Sequence, residues 1–375
     1  MAEGAGKAGD AATEAGGILE IDLAALHANY RDLAARAAPA ACAAVVKADA
    51  YGIGLEAAGR ALVAAGCDTY FVALVGEARR LRAVAPKAAI YVLNGLNPGT
   101  AASYAAIAAR PVLGSRQEIE EWDAHARKSR AAPAAIHIDT GMTRHGLTLG
   151  EANALADGLT PLSFKPSLIM SHLASADDPR NPMTGRQIAA FRAIAARFPG
   201  VPASLANSAG LLAFPDAHFD LVRPGIALYG GAIFVSGENP MRAVVRVRLR
   251  VIQVREAKAG DDVGYGSERR LTRDSRLAIL SAGYGDGIPR AAGSSDNKTG
   301  AEVIIGGRRS PLVGRVSMDL VIADVTDLPD GAVRRGDLAT LVGDGISVDE
   351  LGAPAGTVGY EVLTRLGRRY HRVYV

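Results

Sequence analysis

The chain has 375 residues, of which 49% are hydrophobic and 22% are charged, and its formal net charge is +3. This composition is typical of a soluble intracellular protein of enzyme size. So small a net charge does not indicate nucleic-acid binding. No apolar run approaches the roughly 20 residues that a membrane-spanning helix needs. We therefore expect a cytoplasmic protein that binds neither membranes nor nucleic acids.

Residues 1–17 are rich in alanine and glycine and contain no apolar core of signal-peptide length. We predict that they form a disordered leader. Cys42 and Cys67 are the only cysteines, and each lies beside apolar residues. Two cysteines can build neither a disulfide framework nor a zinc cluster, so we interpret both as buried packing residues and expect no metal site.

From Ile18 to about Tyr229, short apolar runs alternate with segments of helical period, a pattern typical of parallel βα units. The predicted strands are Cys42–Lys47, Asp68–Ala73, Ile90–Leu93, Arg110–Leu113, Ala134–Asp139, Ser167–His172, Ala203–Ala206 and Phe219–Val222, with helices such as Ser115–Lys128 and Gly185–Phe198 between them. These repeats favour a (β/α)8 barrel over residues 18–235. The alternative, an open doubly wound sheet, would normally carry a glycine-rich fingerprint after an early strand, and none is present.

After Gly230 the pattern changes to strand-like runs separated by Gly, Pro and Asp turns. The predicted strands are Ala243–Val254, Leu277–Ser281, Glu302–Ile305, Leu320–Val325 and Leu338–Val342, and the predicted helices are Ser347–Leu351 and Tyr360–Leu366. The fold class is therefore α/β, with an N-terminal barrel followed by a C-terminal mostly-β domain over residues 236–375.

Lys47 ends the first predicted barrel strand, directly after Ala44-Val45-Val46. A lysine ammonium is strongly hydrated, so this position costs solvation free energy unless the amine is paired, deprotonated or covalently bound. One interpretation is a lysine that reacts with the aldehyde of a cofactor. The other is a lysine that extends from the strand end to solvent, and this segment alone does not separate the two.

Strands seven and eight of the predicted barrel end in segments that suit an anion. Asn207 and Ser208 offer a hydroxyl and backbone amides at a helix start, while Gly225 allows close backbone approach and Arg223 adds a positive charge. In such barrels a phosphate often lies on the loops after these two strands. Each segment alone is also an ordinary helix cap or turn, but together with Lys47 they outline a phosphorylated aldehyde cofactor.

Two further strand ends are polar where a barrel interior would be apolar. Arg144 closes the segment after strand five, where its guanidinium can bind a carboxylate through two hydrogen bonds. His172 ends strand six, where its ring can stack on or hydrogen-bond to a pyridine ring. A core histidine with satisfied hydrogen bonds is the simpler interpretation of His172 taken alone.

The most specific motif of the chain is Val45-Val46-Lys47-Ala48-Asp49-Ala50-Tyr51-Gly52. It is followed by Asp139-Thr140-Gly141-Met142-Thr143-Arg144, Arg223-Pro224-Gly225-Ile226, Val263-Gly264-Tyr265-Gly266, Gly283-Tyr284-Gly285-Asp286-Gly287 and Gly314-Arg315-Val316-Ser317-Met318-Asp319. In these motifs and their order, the chain resembles alanine racemase, a fold-type III pyridoxal-phosphate enzyme, from about Ile18 to the C-terminus. The resemblance implies a pyridoxal 5′-phosphate cofactor, alanine as the substrate and a homodimer with shared sites.

The resemblance also implies a role for each matching residue. Lys47 binds the cofactor covalently and is the base on one face of the substrate Cα, and Tyr265 of the partner subunit is the base on the other face. The residues implied to hold the cofactor are Lys47, Tyr51, His172, Asn207, Ser208, Arg223, Gly225, Ile226 and Tyr360. Those implied to contact the substrate are Arg144 and Met318 of the partner subunit, and those implied to line the entrance are Asp177, Tyr284, Arg290, Arg315 and Asp319.

These roles agree with the chemistry of the side chains. An arginine at position 223 cannot readily give a full proton to a pyridine nitrogen, so the ring is a weaker electron sink and transamination is discouraged. Racemisation removes a proton from one face and delivers one to the other, which one base cannot easily do. The chain departs from the family at His137, where many members carry a lysine whose carbamate braces the arginine, so the orientation of Arg144 stays open.

The D-alanine made by such an enzyme would serve peptidoglycan synthesis or alanine catabolism. Three other functions are alternatives to alanine racemisation. A broader-specificity racemase acting on serine or lysine is the closest, but such periplasmic enzymes usually carry a signal peptide. A fold-type III amino-acid decarboxylase uses a Cys-Glu-Ser-type motif in its second domain, whereas both cysteines here lie in the first. A non-catalytic pyridoxal-phosphate-binding protein has the barrel alone, and Tyr265 argues against it.

Overall fold

The computed structural model describes residues 11–128, 133–159 and 161–375, so residues 1–10 of the predicted leader lie outside the described part. The chain divides into two compact units. The barrel unit spans Leu26–Arg242, and the β-rich unit joins Met1–Ala25 to Ala243–Val375.

The elements of both units follow in chain order. The strands are β1 (Gly17–Ile21), β2 (Ala41–Cys42), β3 (Ala44–Val45), β4 (Thr69–Val72), β5 (Ala89–Val92), β6 (Ala109–Leu113), β7 (Ala135–His137), β8 (Leu168–Met170), β9 (Ala203–Ser204), β10 (Leu221–Val222), β11 (Val245–Ala257), β12 (Asp262–Val263), β13 (Arg269–Arg270), β14 (Ser275–Leu280), β15 (Glu302–Ile305), β16 (Arg308–Pro311), β17 (Val321–Asp324), β18 (Leu338–Val342) and β19 (His371–Tyr374). The helices are α1 (Leu23–Ala37), α2 (Lys47–Tyr51), α3 (Leu55–Ala64), α4 (Val75–Val84), α5 (Ala101–Ala105), α6 (Arg116–Lys128), α7 (Leu149–Ala156), α8 (Pro182–Ala195), α9 (Ser208–Ala213), α10 (Val348–Gly352) and α11 (Gly359–Thr364). Short 3-10 turns occupy Pro215–Ala217, Ile226–Tyr229, Tyr265–Ser267, Tyr284–Asp286, Arg290–Ala292 and Ala353–Ala355.

The barrel unit is built on a parallel sheet in the order β3-β4-β5-β6-β7-β8-β9. β10 pairs in parallel with β2, which directly precedes β3. The N–H of Asp220 donates to the carbonyl of Ala203 at 3.0 Å, and the N–H of Arg223 donates to the carbonyl of Ala206 at 2.9 Å. These bonds join the last strand to β9, so the sheet closes on itself. The predicted (β/α)8 barrel is confirmed.

Local sequence signals explain where the barrel helices begin. Ser115 caps the start of α6, because its hydroxyl accepts the N–H of Glu118 at 3.2 Å. The helix predicted from Gly185 begins earlier, at Pro182. Asn181 caps this start by accepting the N–H of Met183 at 3.0 Å, and proline fits the first helical turn.

The β-rich unit holds a sheet in the order β16-β15-β18-β11-β1-β19, and β14 pairs with β11 and β17. β1 lies here, antiparallel to β11 and parallel to β19, rather than in the barrel, where residues from 18 onward were predicted. Its alternation explains this, because Leu19 and Ile21 are buried while Glu20 pairs with Arg246 and Arg248 on the other face.

Both cysteines, Cys42 and Cys67, are buried and free, as their apolar neighbours predicted. Within the described ranges, no group of three or more His, Cys, Asp or Glu residues is arranged to hold a metal ion. Helices long and apolar enough to cross a membrane are likewise absent from the part of the chain that the structure describes.

Candidate active site

Lys47 lies at the end of the first barrel strand and opens a turn with an unusual backbone. Ala48, Asp49, Ala50 and Tyr51 have φ angles of 54°, 57°, 55° and 52°, all in the left-handed region. Each non-glycine residue in this region costs about 1–2 kcal/mol. The surrounding structure must therefore hold the turn that presents Lys47.

Two carboxylates hold this turn, Glu77 from α4 and Asp49 from within the turn itself. Glu77 accepts the N–H of Ala48 through Oε1 at 2.6 Å. Asp49 accepts the N–H of Leu55 at 3.1 Å and a guanidinium N–H of Arg80 at 2.6 Å. Sequence reasoning did not single out Glu77, because a glutamate in the first turn of a helix is an ordinary capping residue.

Aromatic side chains hold the same turn from the barrel side. The rings of Tyr51 and Tyr229 stack with centroids 4.5 Å apart, and the hydroxyl of Tyr229 donates to the carbonyl of Val45 at 2.9 Å. A Cβ atom on Gly225 would lie 2.3 Å from the hydroxyl oxygen of Tyr51. Gly225 therefore leaves the space through which Tyr51 reaches the loop after β10.

The amine of Lys47 has a lowered pKa. Burial is the main cause and the positive charge of Arg144 adds to it, while Glu77 acts in the opposite direction. A lower pKa leaves a larger fraction of neutral amine, which is the nucleophilic form. The surroundings of Lys47 therefore favour the reactive interpretation over a lysine that extends into solvent.

The loops after β9 and β10 come together around Ser208. This residue is 4% exposed, and its hydroxyl accepts the backbone N–H groups of Gly225 at 2.9 Å and Ala227 at 3.2 Å. Asn207 caps the helix that Ser208 opens, and Ile226 between the two donors is 1% exposed. The predicted phosphate-binding residues of the barrel unit thus form one polar cradle around a small-residue turn.

Arg223 is buried within the barrel, with 3% of its surface exposed. It donates to the hydroxyl of Ser204 at 2.5 Å and to the carbonyl of Ser171 at 2.6 Å, and its Nη2 lies 3.3 Å from Nδ1 of His172. Burial lowers the pKa of Arg223 to about 9, so it stays charged at neutral pH. Burial and the charge of Arg223 lower the pKa of His172. Because a guanidinium only donates, Nδ1 of His172 accepts this hydrogen bond and the proton of the neutral ring lies on Nε2.

The departure at His137 creates a pair of imidazoles beside Arg144. The rings of His137 and His145 meet edge to face with centroids 5.2 Å apart, and Gly114 leaves room for His145. Burial, then the charges of His145, Arg223 and Arg144, lower the pKa of His137 to about 3. His137 is therefore neutral at neutral pH, and the side chain of Arg144 is exposed.

We expect His137 to make the protein sensitive to acid. Because its pKa falls from 6.5 to about 3 on folding, the unfolded chain takes up the proton first as the pH decreases. The free energy of unfolding should then decrease below about pH 6.5 by up to about 1.4 kcal/mol per pH unit. Between about pH 7.5 and about pH 5.5, the free energy of unfolding measured with urea should decrease by about 1 kcal/mol less in His137→Asn than in wild type. An equal loss in both proteins would contradict this, and His27→Asn, at a half-buried histidine, is the control.

In the β-rich unit, Tyr265 opens the 3-10 turn between β12 and β13 and is 72% exposed. The neighbouring Arg315 forms an ion pair with Glu268 at the end of this turn. A Cβ atom on Gly314 would lie 2.6 Å from the carbonyl of Val263, so the segments carrying Tyr265 and Arg315 pack closely. An exposed tyrosine on a well-held turn is available to another molecule.

Met318 and Tyr284 lie on two joined segments of the same unit, and they are 54% and 41% exposed. The N–H of Tyr284 donates to the carbonyl of Ser317 at 2.9 Å. Arg369 binds Asp286 at 2.8 Å and Asp319 at 2.7 Å, so one guanidinium ties both segments together. Of the remaining predicted residues, Arg290 and Tyr360 are exposed in this unit and Asp177 is exposed in the barrel unit, and their roles stay predictions.

Family models match both units. The model described as alanine racemase, N-terminal domain, matches residues 21–232, and that described as alanine racemase, C-terminal domain, matches residues 244–374. The chain belongs to the alanine racemase family. The assignment to an isomerase is therefore confirmed, and the alternatives of a decarboxylase and of a non-catalytic barrel are not supported.

Known alanine racemases match nearly the whole chain. A relative named alanine racemase from Methylobacterium sp. (strain 4-46) is 53% identical over 96% of this chain and 98% of its own length. Another from Methylobacterium nodulans is 52% identical over 96% of each chain. The crystal structure of alanine racemase from Bartonella henselae with covalently bound pyridoxal phosphate has a TM-score of 0.90 and 40% identity, covering 96% of this chain and 100% of its own.

Proposed function

We propose that this protein interconverts L-alanine and D-alanine with pyridoxal 5′-phosphate, using Lys47 and Tyr265 as its two bases. The observation that carries the proposal is the end of the barrel, where an amine of lowered pKa follows β3 and a cradle for an anion follows β9 and β10. The product D-alanine would serve peptidoglycan synthesis or alanine catabolism in the cytoplasm.

The residues of the barrel unit fit this cofactor. A Cβ atom at Gly225 would fill the space beside the Tyr51 hydroxyl, so only glycine keeps this cradle open. Ser208 and Tyr51 would hold the phosphate, with Asn207 and Ile226 beside them. Tyr360, which lies in the β-rich unit, stays a further predicted phosphate ligand. Arg223 would bind the pyridine nitrogen and His172 would stack on the ring. When bound, the cofactor withdraws electrons from the substrate Cα, which makes its proton acidic.

The two bases act on opposite faces of the substrate Cα. The lowered pKa of Lys47 raises the fraction of neutral amine, which is the form that can accept a proton. The hydroxyl of Tyr265 holds the proton that is delivered to the other face. Arg144 would pair with the substrate carboxylate, with Met318 of the partner subunit beside it, and after burial the charge of Arg144 is the second cause that lowers the pKa of the Lys47 amine.

We propose further that Tyr265 belongs to the site of a second subunit in a homodimer. The exposure of Tyr265 and Met318 supports this, because large exposed apolar side chains on well-held turns are typical of protein interfaces. The segments that carry Tyr284, Arg290, Arg315 and Asp319 would then form the entrance together with Asp177.

Racemisation followed by circular dichroism tests the proposal directly. We expect the protein to racemise both enantiomers of alanine, and to act on serine and lysine at least about 100-fold more slowly, because a site that fits a methyl group leaves little room for longer side chains. Rates on serine or lysine equal to that on alanine would identify a broader-specificity racemase. Absence of racemisation in protein loaded with pyridoxal phosphate would overturn the proposal.

A further inference from the structure

Gln187 is a buried polar residue that none of the roles above includes. It lies on α8 and is 0% exposed. A buried amide costs free energy unless its donors and its acceptor form hydrogen bonds. The partners of Gln187 therefore show which parts of the barrel it holds.

The amide of Gln187 bridges the ends of β7 and β8. Its Oε1 accepts the N–H of Ala174 at 2.8 Å, and its Nε2 donates to the carbonyl of His172 at 2.9 Å. Nε2 also lies 3.3 Å from the hydroxyl of Thr140, which is 2.8 Å from the hydroxyl of Ser171. Because a backbone N–H only donates and a carbonyl only accepts, these partners determine the orientation of the amide.

These bonds hold the backbone of His172, while Arg223 contacts its ring. Arg223 contacts the carbonyl of Ser171 and the ring of His172, whereas Gln187 contacts the backbone of His172 and Ala174. Through Thr140, the same amide reaches the segment that ends in Arg144. One buried side chain thus links the two predicted site segments that follow β7 and β8.

We propose that Gln187 is a positioning residue of the active site, which holds His172 and the segment from Thr140 to Arg144 in the geometry that receives cofactor and substrate. This inference rests on the proposed function, because Gln187 acts through residues that bind the cofactor and the substrate there. Among the described residues, the side-chain hydrogen bonds of Gln187 go to Ala174, His172 and Thr140, not to Lys47. Its loss therefore weakens cofactor binding and raises KM for alanine more than it lowers kcat.

The first test compares Gln187→Met with wild type. Methionine keeps the length of the side chain and removes its hydrogen bonds, so the dissociation constant for pyridoxal phosphate should rise about tenfold. Titration of full-length protein after removal of its cofactor, followed by the visible absorption of the bound cofactor, measures this. Thr184→Val is the matched control, since Thr184 is also 0% exposed on α8 and its hydroxyl has no hydrogen-bond partner among the described residues.

The second test uses the pH dependence of Gln187→Glu. A buried carboxyl group has a raised pKa, and in its protonated form its one O–H can donate to the carbonyl of His172 while its other oxygen accepts the N–H of Ala174. Relative to wild type at the same pH, the affinity of this variant for pyridoxal phosphate should be within about twofold at about pH 6 and about tenfold weaker at about pH 9. A residue with a purely structural role would lower the melting temperature without this change in affinity.

The outcomes separate the two proposals. If wild type binds pyridoxal phosphate on Lys47 and racemises alanine, while both Gln187 variants keep its dissociation constant at each pH, then Gln187 has no positioning role and the proposed function stands. If wild type neither binds the cofactor nor racemises alanine, both proposals are overturned. Should Gln187→Met fail to fold, the pH profile of Gln187→Glu decides, because its protonated form can keep the hydrogen bonds to the carbonyl of His172 and the N–H of Ala174.

Discussion

Replacing Lys47 with alanine is expected to abolish racemisation, with a loss of roughly 10⁴-fold or more. The substitution removes both the amine that would bind the cofactor covalently and the base for one face of the substrate. The lowered pKa of Lys47 and the left-handed turn that presents it are the observations behind this expectation. The visible absorption of the bound cofactor should disappear together with the activity.

Borohydride reduction followed by peptide mass spectrometry measures where the cofactor is attached. In wild type, the pyridoxyl adduct should lie on Lys47, and in Lys47→Ala no specific adduct should form. Lys87→Ala is the matched control, because Lys87 is an exposed lysine of the same unit. An adduct on a different lysine in wild type would show that the assignment of Lys47 is wrong.

The barrel could be predicted because its strands are apolar on both faces, as in β4, where Tyr70, Phe71 and Val72 are fully buried. Which of the two sheets contains β1 could not be predicted in this way. Its partners are β11 and β19, which lie more than 200 residues away in the chain, and alternation within β1 does not say which sheet receives it. Pairing over such distances is set by tertiary packing rather than by local pattern.

In the candidate site, too, the local sequence pattern predicts some residues and misses others. Lys47 and Arg223 could be predicted as site residues because a charged residue directly after an apolar strand costs solvation free energy unless a partner or a ligand compensates it. Glu77 and Gln187 could not, since each acts on backbone groups of another element and each looks like an ordinary helix residue in the sequence. The left-handed turn after Lys47 contains alanine and aspartate where glycine would have signalled it, so only the structure shows it.

The second large effect concerns Tyr265. Tyr265→Phe removes only the hydroxyl, and we expect alanine racemisation to decrease by roughly 10²–10⁴-fold, the usual contribution of one general acid or base. The cofactor should still bind to Lys47, because Tyr265 lies in the β-rich unit and the proposed covalent attachment lies in the barrel unit. Unchanged visible absorption with lost activity would therefore separate this variant from Lys47→Ala. Tyr374→Phe, at an exposed tyrosine of the same unit, is the control.

Subunit exchange between the two inactive variants tests whether Tyr265 acts in the site of the partner. In a heterodimer of Lys47→Ala and Tyr265→Phe with shared sites, one site carries both substitutions and the other carries none. Random exchange should therefore restore about one quarter of the wild-type activity per chain, since about half of the dimers are mixed and each has one intact site. If each site used residues of one chain only, every site would keep one substitution. A heterodimer verified by differential tags that stays inactive would then place both bases in the same subunit.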